Sequence, residues 1–237
     1  PPRFFFFFFR LITSGAVIPD QDVKDGVIQF QIIEGALSRI DVEGTNWFRR
    51  GYVSDRIALG ARPPLRMEPL QTRLQLLQQD PRIERINAEL RPGDQRGQSI
   101  LNVKVKEQSP WKMWVEFSNH QTPVVGAERG LMTVAHQNVT GHGDPLTVTY
   151  GGSRGVHPII DVAYTLPLNR YDTTFTAHYR RNDFVVVDNQ FDFLNLKSNS
   201  EIIGFTLRHP VYRTLSDEVA IAITGEHLFN KITSALD

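Results

Sequence analysis

The sequence has no cysteine among its 237 residues. That excludes a disulfide scaffold, a cysteine nucleophile and thiolate zinc sites. It has no net charge, with 26 Lys and Arg against 26 Asp and Glu. Residues 1–108 hold 16 basic and 13 acidic residues, and residues 109–237 hold 10 and 13. Neither part has the basic excess of a nucleic-acid binder, so no nucleic-acid partner is expected. No apolar run reaches 18 residues, which excludes a membrane-spanning helix. A spanning β-barrel stays open, because lumen-facing residues keep mean hydropathy low, and the value of −0.27 suits a barrel as well as a soluble fold. The chain also lacks the Gly-Lys-Ser/Thr of a phosphate loop, so no nucleotide is expected. The length suggests one to two domains. At 41% hydrophobic content the chain is too apolar for wholesale disorder.

The chain opens Pro1-Pro2-Arg3, runs through six phenylalanines from Phe4 to Phe9, and meets Arg10 without an initiator methionine. Arg10 ends the run too early for a good signal peptide. Residues 1–17 read as a disordered or damaged N-terminus.

From residue 18 to 108 the pattern is mixed. Val27–Ile33 reads as a strand closed by Glu34-Gly35, and Leu37–Val42 as a second ended by Gly44. Val53 and Ile57 stand at i, i+4 in a short helix over Tyr52–Leu59. Leu70, Leu74 and Leu77 form one stripe of a helix over Met67–Gln79, with Pro69 in its first turn and Asp80-Pro81 as its stop. Ile86, Ala88 and Leu90 alternate with Arg85, Asn87 and Glu89. After the turn at Arg91–Asp94, Leu101, Val103 and Val105 alternate with Lys104 and Lys106. The order from Leu37 is strand, helix, helix, strand, strand.

After Pro110 seven stretches alternate with period two, around Trp111–Phe117, Leu131–Ala135, Leu146–Tyr150, Ile160–Leu166, Thr174–Arg180, Ile203–Arg208 and Val219–Thr224. Val185–Phe193 either adds a strand or forms a long turn. No helical pattern intervenes, so an antiparallel meander is predicted. One face is apolar, with Trp111, Tyr150, Tyr164 and Tyr179 near strand ends. Periodicity does not choose between a soluble sandwich or lipocalin-like barrel, apolar side in, and an outer-membrane barrel, apolar side out.

Catalytic and metal signals are weak. Gly151-Gly152-Ser153-Arg154-Gly155 fits G-x-S-x-G, but a strand follows where a nucleophile elbow needs a helix, so it reads as a turn. His136 and His142, the nearest histidine pair, lack ligand spacing. No enzyme activity, metal or cofactor is expected.

The segments DGVIQFQIIEGALSRIDVEG, RLQLLQQDPRIERINAELRPG and LNVKVKEQSPW resemble POTRA domains of the two-partner secretion family, outer-membrane transporters that export haemolysins and filamentous adhesins. NVTGHGDPLTVTYGGSRG, DVAYTLPLNRYDTTFTAHYRRND and IIGFTLRHPVYR resemble the opening strands of that family's barrel. Gly143-Asp144-Pro145-Leu146, Tyr164-Thr165-Leu166-Pro167-Leu168 and His209-Pro210-x-x-Arg213 occur in the family's order. The resemblance implies an α+β POTRA domain (β-α-α-β-β), followed by all-β antiparallel strands forming part of a transmembrane β-barrel. Residues 18–35 would be the C-terminal remnant of a first POTRA domain, residues 36–108 a second, and residues 109–237 the first half of a barrel.

By the same resemblance the POTRA part lies in the periplasm and the barrel in outer-membrane lipid. The partner is a secreted exoprotein with an N-terminal secretion domain. It would dock by β-augmentation on the edge from Arg85 to Leu90 and the groove toward the leucine stripe. Arg85, Asn87 and Glu89 point away from the core, while Leu70 and Leu74 read either as groove or as core. Proline at Asn87 is expected to weaken docking. The family's lid motif lies further downstream, so Arg50-Gly51-Tyr52 is not assigned that role. The family's barrel has sixteen strands, so about seven imply a truncated transporter. A barrel-assembly factor and a soluble periplasmic β-sandwich binding module are the alternative readings.

Overall fold

The computed structural model describes residues 12, 14–21, 26–186 and 197–234. The phenylalanine run, and all but the first two residues of the Val185–Phe193 stretch, lie outside the described residues. The chain divides into two compact units, Pro1–Gln108 with Thr214–Ser216, and Ser109–Arg213 with Asp217–Asp237.

In the first unit, β1 (Gly15–Val17) pairs antiparallel with β2 (Gln31–Ile33). The expected strand over Val27–Ile33 is therefore cut to its last three residues, and part of the N-terminus expected to be disordered is a strand. A strand is only as long as the ladder that holds it, and a three-residue partner holds three residues. Val27 and Phe30 are left exposed.

Next come β3 (Ala36–Glu43), α1 (Arg50–Ala58), α2 (Met67–Gln78), β4 (Ile83–Pro92) and β5 (Gln98–Glu107). The sheet order is β3-β5-β4, with β3 parallel and β4 antiparallel to β5. The central strand carries the core: Leu101, Val103 and Val105 are buried with Val42, Phe48, Tyr52, Val53, Ile57, Leu70, Leu77 and Ile83. Gly44 turns the chain out of β3 at φ 80°, and a Cβ there would stand 2.3 Å from the Val105 carbonyl oxygen. Only glycine tolerates both the positive φ and the close approach. The Glu107 carboxylate accepts the N–H groups of Asn46, Trp47 and Phe48 at 3.2, 2.7 and 2.9 Å, so the end of β5 holds the loop that leads into α1.

Behind α2, Arg82 binds the Asp80 carboxylate at 2.6 Å and the Tyr52 hydroxyl at 3.1 Å. Burial pushes the Asp80 carboxyl up, but the Arg82 guanidinium, with help from the Tyr52 hydroxyl, more than offsets this and holds it below its ordinary value. A depressed carboxylate stabilises the fold above its unfolded value near pH 4, and that gain is lost as pH falls through the folded value. Asp80→Asn is therefore expected to cost about 1–3 kcal/mol at pH 7 and progressively less below about pH 4. Urea unfolding followed by exchange of α1 and α2 amides, at pH 7 and pH 3, checks this.

Among the described residues the second unit is one seven-stranded meander: β6 (Trp111–Ser118), β7 (Arg129–His136), β8 (Leu146–Ser153), β9 (Val156–Pro167), β10 (Thr174–Val185), β11 (Lys197–Arg213) and β12 (Glu218–Thr233), each pairing with its sequence neighbour. The register carries one apolar row across the sheet, Met113↔Val134↔Val148↔Val162↔Tyr179↔Ile203. That face is open: Met113, Val115, Phe117, Tyr150, Ile203, Phe205, Ile221 and Ile223 are all exposed.

The opposite face is mostly polar or small, although Trp114, Leu131 and Ile202 also lie on it, and over β7–β11 it is less exposed, with Thr133 and Ala135 buried. Threonines bond across it in pairs at 2.9 Å: Thr133 with Thr149, Thr165 with Thr176, Thr206 with Thr224. Among the described residues no second sheet covers the apolar face of this unit, so the soluble sandwich reading is corrected. A sandwich buries its apolar side between two sheets, and here the polar side is the sheltered one. Gly151 belongs to this packing rather than to a nucleophile elbow, since a Cβ there would stand 2.0 Å from the Gly130 carbonyl oxygen.

Candidate docking edge and motif-bearing turns

β4 is an edge strand, and among the described residues no strand lies on its free side. The Gly93 N–H donates to the Gln98 carbonyl at 2.9 Å, which sets the phase of the β4–β5 ladder. Hydrogen-bonded pairs then fall at Arg91↔Ile100, Glu89↔Asn102, Asn87↔Lys104 and Arg85↔Lys106. The backbone groups that point off the edge belong to Ile86, Ala88 and Leu90. The residues expected to dock are thus split between two roles. Arg85, Asn87 and Glu89 present exposed side chains, while their amides face β5. Ile86, Ala88 and Leu90 supply the free donors and acceptors.

Proline at Asn87 would therefore weaken docking by breaking the inner ladder, whereas proline at Ala88 removes an edge donor. Leu70 is 3% exposed within the core and offers no surface to a partner. Leu74 is half-buried and packs against the same cluster. Around the edge, Arg91 pairs with Glu89 at 2.8 Å and Lys106 with Glu84 at 2.6 Å. Both pairs are exposed and contribute little energy.

In the second unit the three motifs lie in or beside turns at one end of the sheet. Between β7 and β8, Asp144 is fully buried. It accepts the Thr140 N–H at 3.0 and 2.9 Å, the His142 N–H at 3.2 Å and the Tyr164 hydroxyl at 2.6 Å. Asn138 Oδ1 accepts the Gly143 N–H at 2.8 Å. Burial raises the Asp144 carboxyl, but the Tyr164 hydroxyl and the Thr140 N–H more than offset this and hold it below the usual carboxylate range.

Between β9 and β10, Asn169 accepts the Tyr171 and Thr173 amides. Thr173 bonds His209 Nδ1 at 2.8 Å, and Arg213 binds Asp172 at 2.8 Å and Glu218 at 3.2 Å. Arg208 also pairs with Glu218. Each motif therefore fastens one turn to a neighbouring strand. The sequence displayed the motifs but not these partners, which lie 20 residues apart for Asp144–Tyr164 and 41 for Asp172–Arg213.

On the polar face a cavity of about 600 Å³ is lined by Thr133, Thr149, Glu116, Arg129, Asp161 and Arg180 among others. Its charges are paired, Arg129 with Glu116 at 2.8 Å and Arg180 with Asp161 at 3.1 Å.

Comparison with known proteins places this architecture. The haemolysin secretion/activation protein family ShlB/FhaC/HecB matches residues 97–231, more than half of the chain. The outer membrane transporter CdiB of Dickeya dadantii is 28% identical over 144 residues, 60% of this chain and 25% of that protein. The heme/hemopexin transporter protein HuxB of Haemophilus influenzae is 20% identical over 221 residues, 91% of this chain and 38% of that protein. The chain thus spans a quarter to two fifths of the length of these curated relatives. Among solved structures, CdiB from Escherichia coli superposes with a TM-score of 0.65 at 20% identity, over 94% of this chain and 42% of that one. BamA from Haemophilus ducreyi superposes with a TM-score of 0.62 at 13% identity, over 93% and 41%. These two likenesses concern the fold, mostly antiparallel strands with few helices, shared with part of an outer-membrane barrel protein. The family match supplies the rest: this chain belongs to the ShlB/FhaC/HecB family of haemolysin secretion/activation proteins, the outer-membrane transporters of two-partner secretion.

Proposed function

We propose that this chain takes part in protein export across the bacterial outer membrane. Its first unit docks an unfolded exoprotein, a haemolysin or adhesin, in the periplasm, and its second unit contributes the opening strands of the barrel that passes it on. Residues 36–108 are read as a POTRA domain on their β-α-α-β-β order, residues 18–35 as the end of a preceding one, and residues 109–237 as barrel. The observation that carries the reading is the second unit's sheet, with its apolar face uncovered and its polar face sheltered, within the span matched by the family. Strands of 12 to 17 residues in β9–β12 are long enough for a bilayer, which a tilted strand crosses in about 9–11 residues. An apolar outer face meets lipid at no cost, whereas in water it would be an aggregation surface. Export by this route needs neither cofactor nor nucleotide.

The test is deletion of the gene, with complementation by its whole reading frame. The expected result is loss of one large protein from the cell surface or culture supernatant, while the other outer-membrane proteins keep their levels. An unchanged set of exported proteins contradicts the proposal. A joint fall of many outer-membrane barrels assigns the protein to barrel assembly instead.

A further inference from the structure

The last residue of α2 occupies part of the docking edge. The Gln78 side-chain amide donates to the Glu84 carbonyl at 3.1 Å and accepts the Ile86 N–H at 2.7 Å. Glu84 and Ile86 flank Arg85, whose own amide faces β5, so these are the two outward groups that a neighbouring strand would bond opposite Arg85. One carboxamide supplies the same donor and acceptor that a strand's backbone would. Past Ile86 the outward groups are the Ile86 carbonyl, both groups of Ala88 and both groups of Leu90. The next outward position is Pro92, which has no N–H to give. The usable edge is therefore closed by a side chain at one end and a proline at the other.

We propose that Gln78 is a side-chain stand-in for a partner strand. It plugs the β4 edge beside Arg85, confines docking to the Ile86–Leu90 window, and so fixes the register of a guest of about five extended residues read through its main chain. The inference rests on the docking reading given above and adds to it the length and register of the guest. It also explains how a strand-binding edge avoids pairing with other chains. A short, capped window offers too few bonds to hold a chance partner, and a strand that displaces Gln78 gains nothing net, since it breaks two bonds to make two.

The test uses the full chain in detergent and a synthetic nine-residue peptide of alternating threonine and valine with blocked ends. Gln78→Met keeps the helix and the side-chain length but removes both bonds. In the variant the Ile86 amide is expected to exchange at least about tenfold faster, with Ala88 and Leu90 unchanged. Peptide affinity is expected to rise about three- to tenfold, the range of one net hydrogen bond added by the unplugged edge. Unchanged exchange at Ile86, or peptide affinity that stays level or falls, overturns the plug. Peptide that fails to slow exchange at Ala88 and Leu90 in both proteins overturns the docking reading itself, whatever Gln78 does.

Discussion

Replacing Asp144 by alanine is expected to cost about 2–4 kcal/mol and to open the turn between β7 and β8. The carboxylate is fully buried, and its loss strands two backbone N–H groups, of Thr140 and His142, and the Tyr164 hydroxyl. Each unsatisfied donor costs about 1–3 kcal/mol, reduced where the loosened turn admits water. Tyr164→Phe removes one of these bonds and keeps the ring, so about 1 kcal/mol is expected. The sign with pH follows from the depressed carboxyl: the lock is complete at neutral pH and weakens as pH falls through the folded value. Exchange of the Thr140 and His142 amides reads the effect directly. The alanine variant should lose protection there at pH 7, and the native chain should lose it only in acid. Protection retained in the alanine variant would mean that the remaining bonds, Gly143 to Asn138 and Val139 to the Asp144 carbonyl, hold the turn without the carboxylate.

The turn also marks where sequence reading stops. All seven strands of the second unit were legible, because alternation with period two persists through every one and the turns between them are polar or glycine-rich. The strand, helix, helix, strand, strand order of the first unit was legible for the same reason, from the leucine stripe of α2 and the alternation in β5. Val27–Ile33 overshot, since a propensity run says nothing of whether a partner strand is long enough. Leu70 was ambiguous in the sequence, because a stripe has a centre and a margin: Leu70 turned out to be centre and Leu74 margin. The partners of Asp144, Asp172 and Gln78 were invisible, since each is set by which strand lies beside a turn or helix end. Glu107 carried no signal in the sequence, although three consecutive amides converge on it.

Proline at Ala88 is expected to abolish strand docking and leave the fold standing, whereas proline at Asn87 damages the fold. The difference is one residue of ladder phase. The Ala88 N–H points off the edge and bonds nothing in the sheet, and Ala88 is exposed, so a ring there meets solvent and removes a donor needed only by a guest. The window has two free donors, on Ala88 and Leu90, so losing one halves them. The ring also blocks close approach of a guest backbone, and binding of an extended peptide should fall by at least about tenfold. The Asn87 N–H instead faces Lys104 across the ladder. Proline there deletes an inner bond and pushes β4 from β5, at a cost of about 3 kcal/mol or more. A pull-down alone would not separate the two variants, since both would lose the guest. Urea unfolding does: the Ala88 variant should keep the native midpoint and the Asn87 variant should not. If the Ala88 variant binds as the native chain does, β4 is not the docking edge. The surface left to consider would then be β3, the other edge of the same sheet.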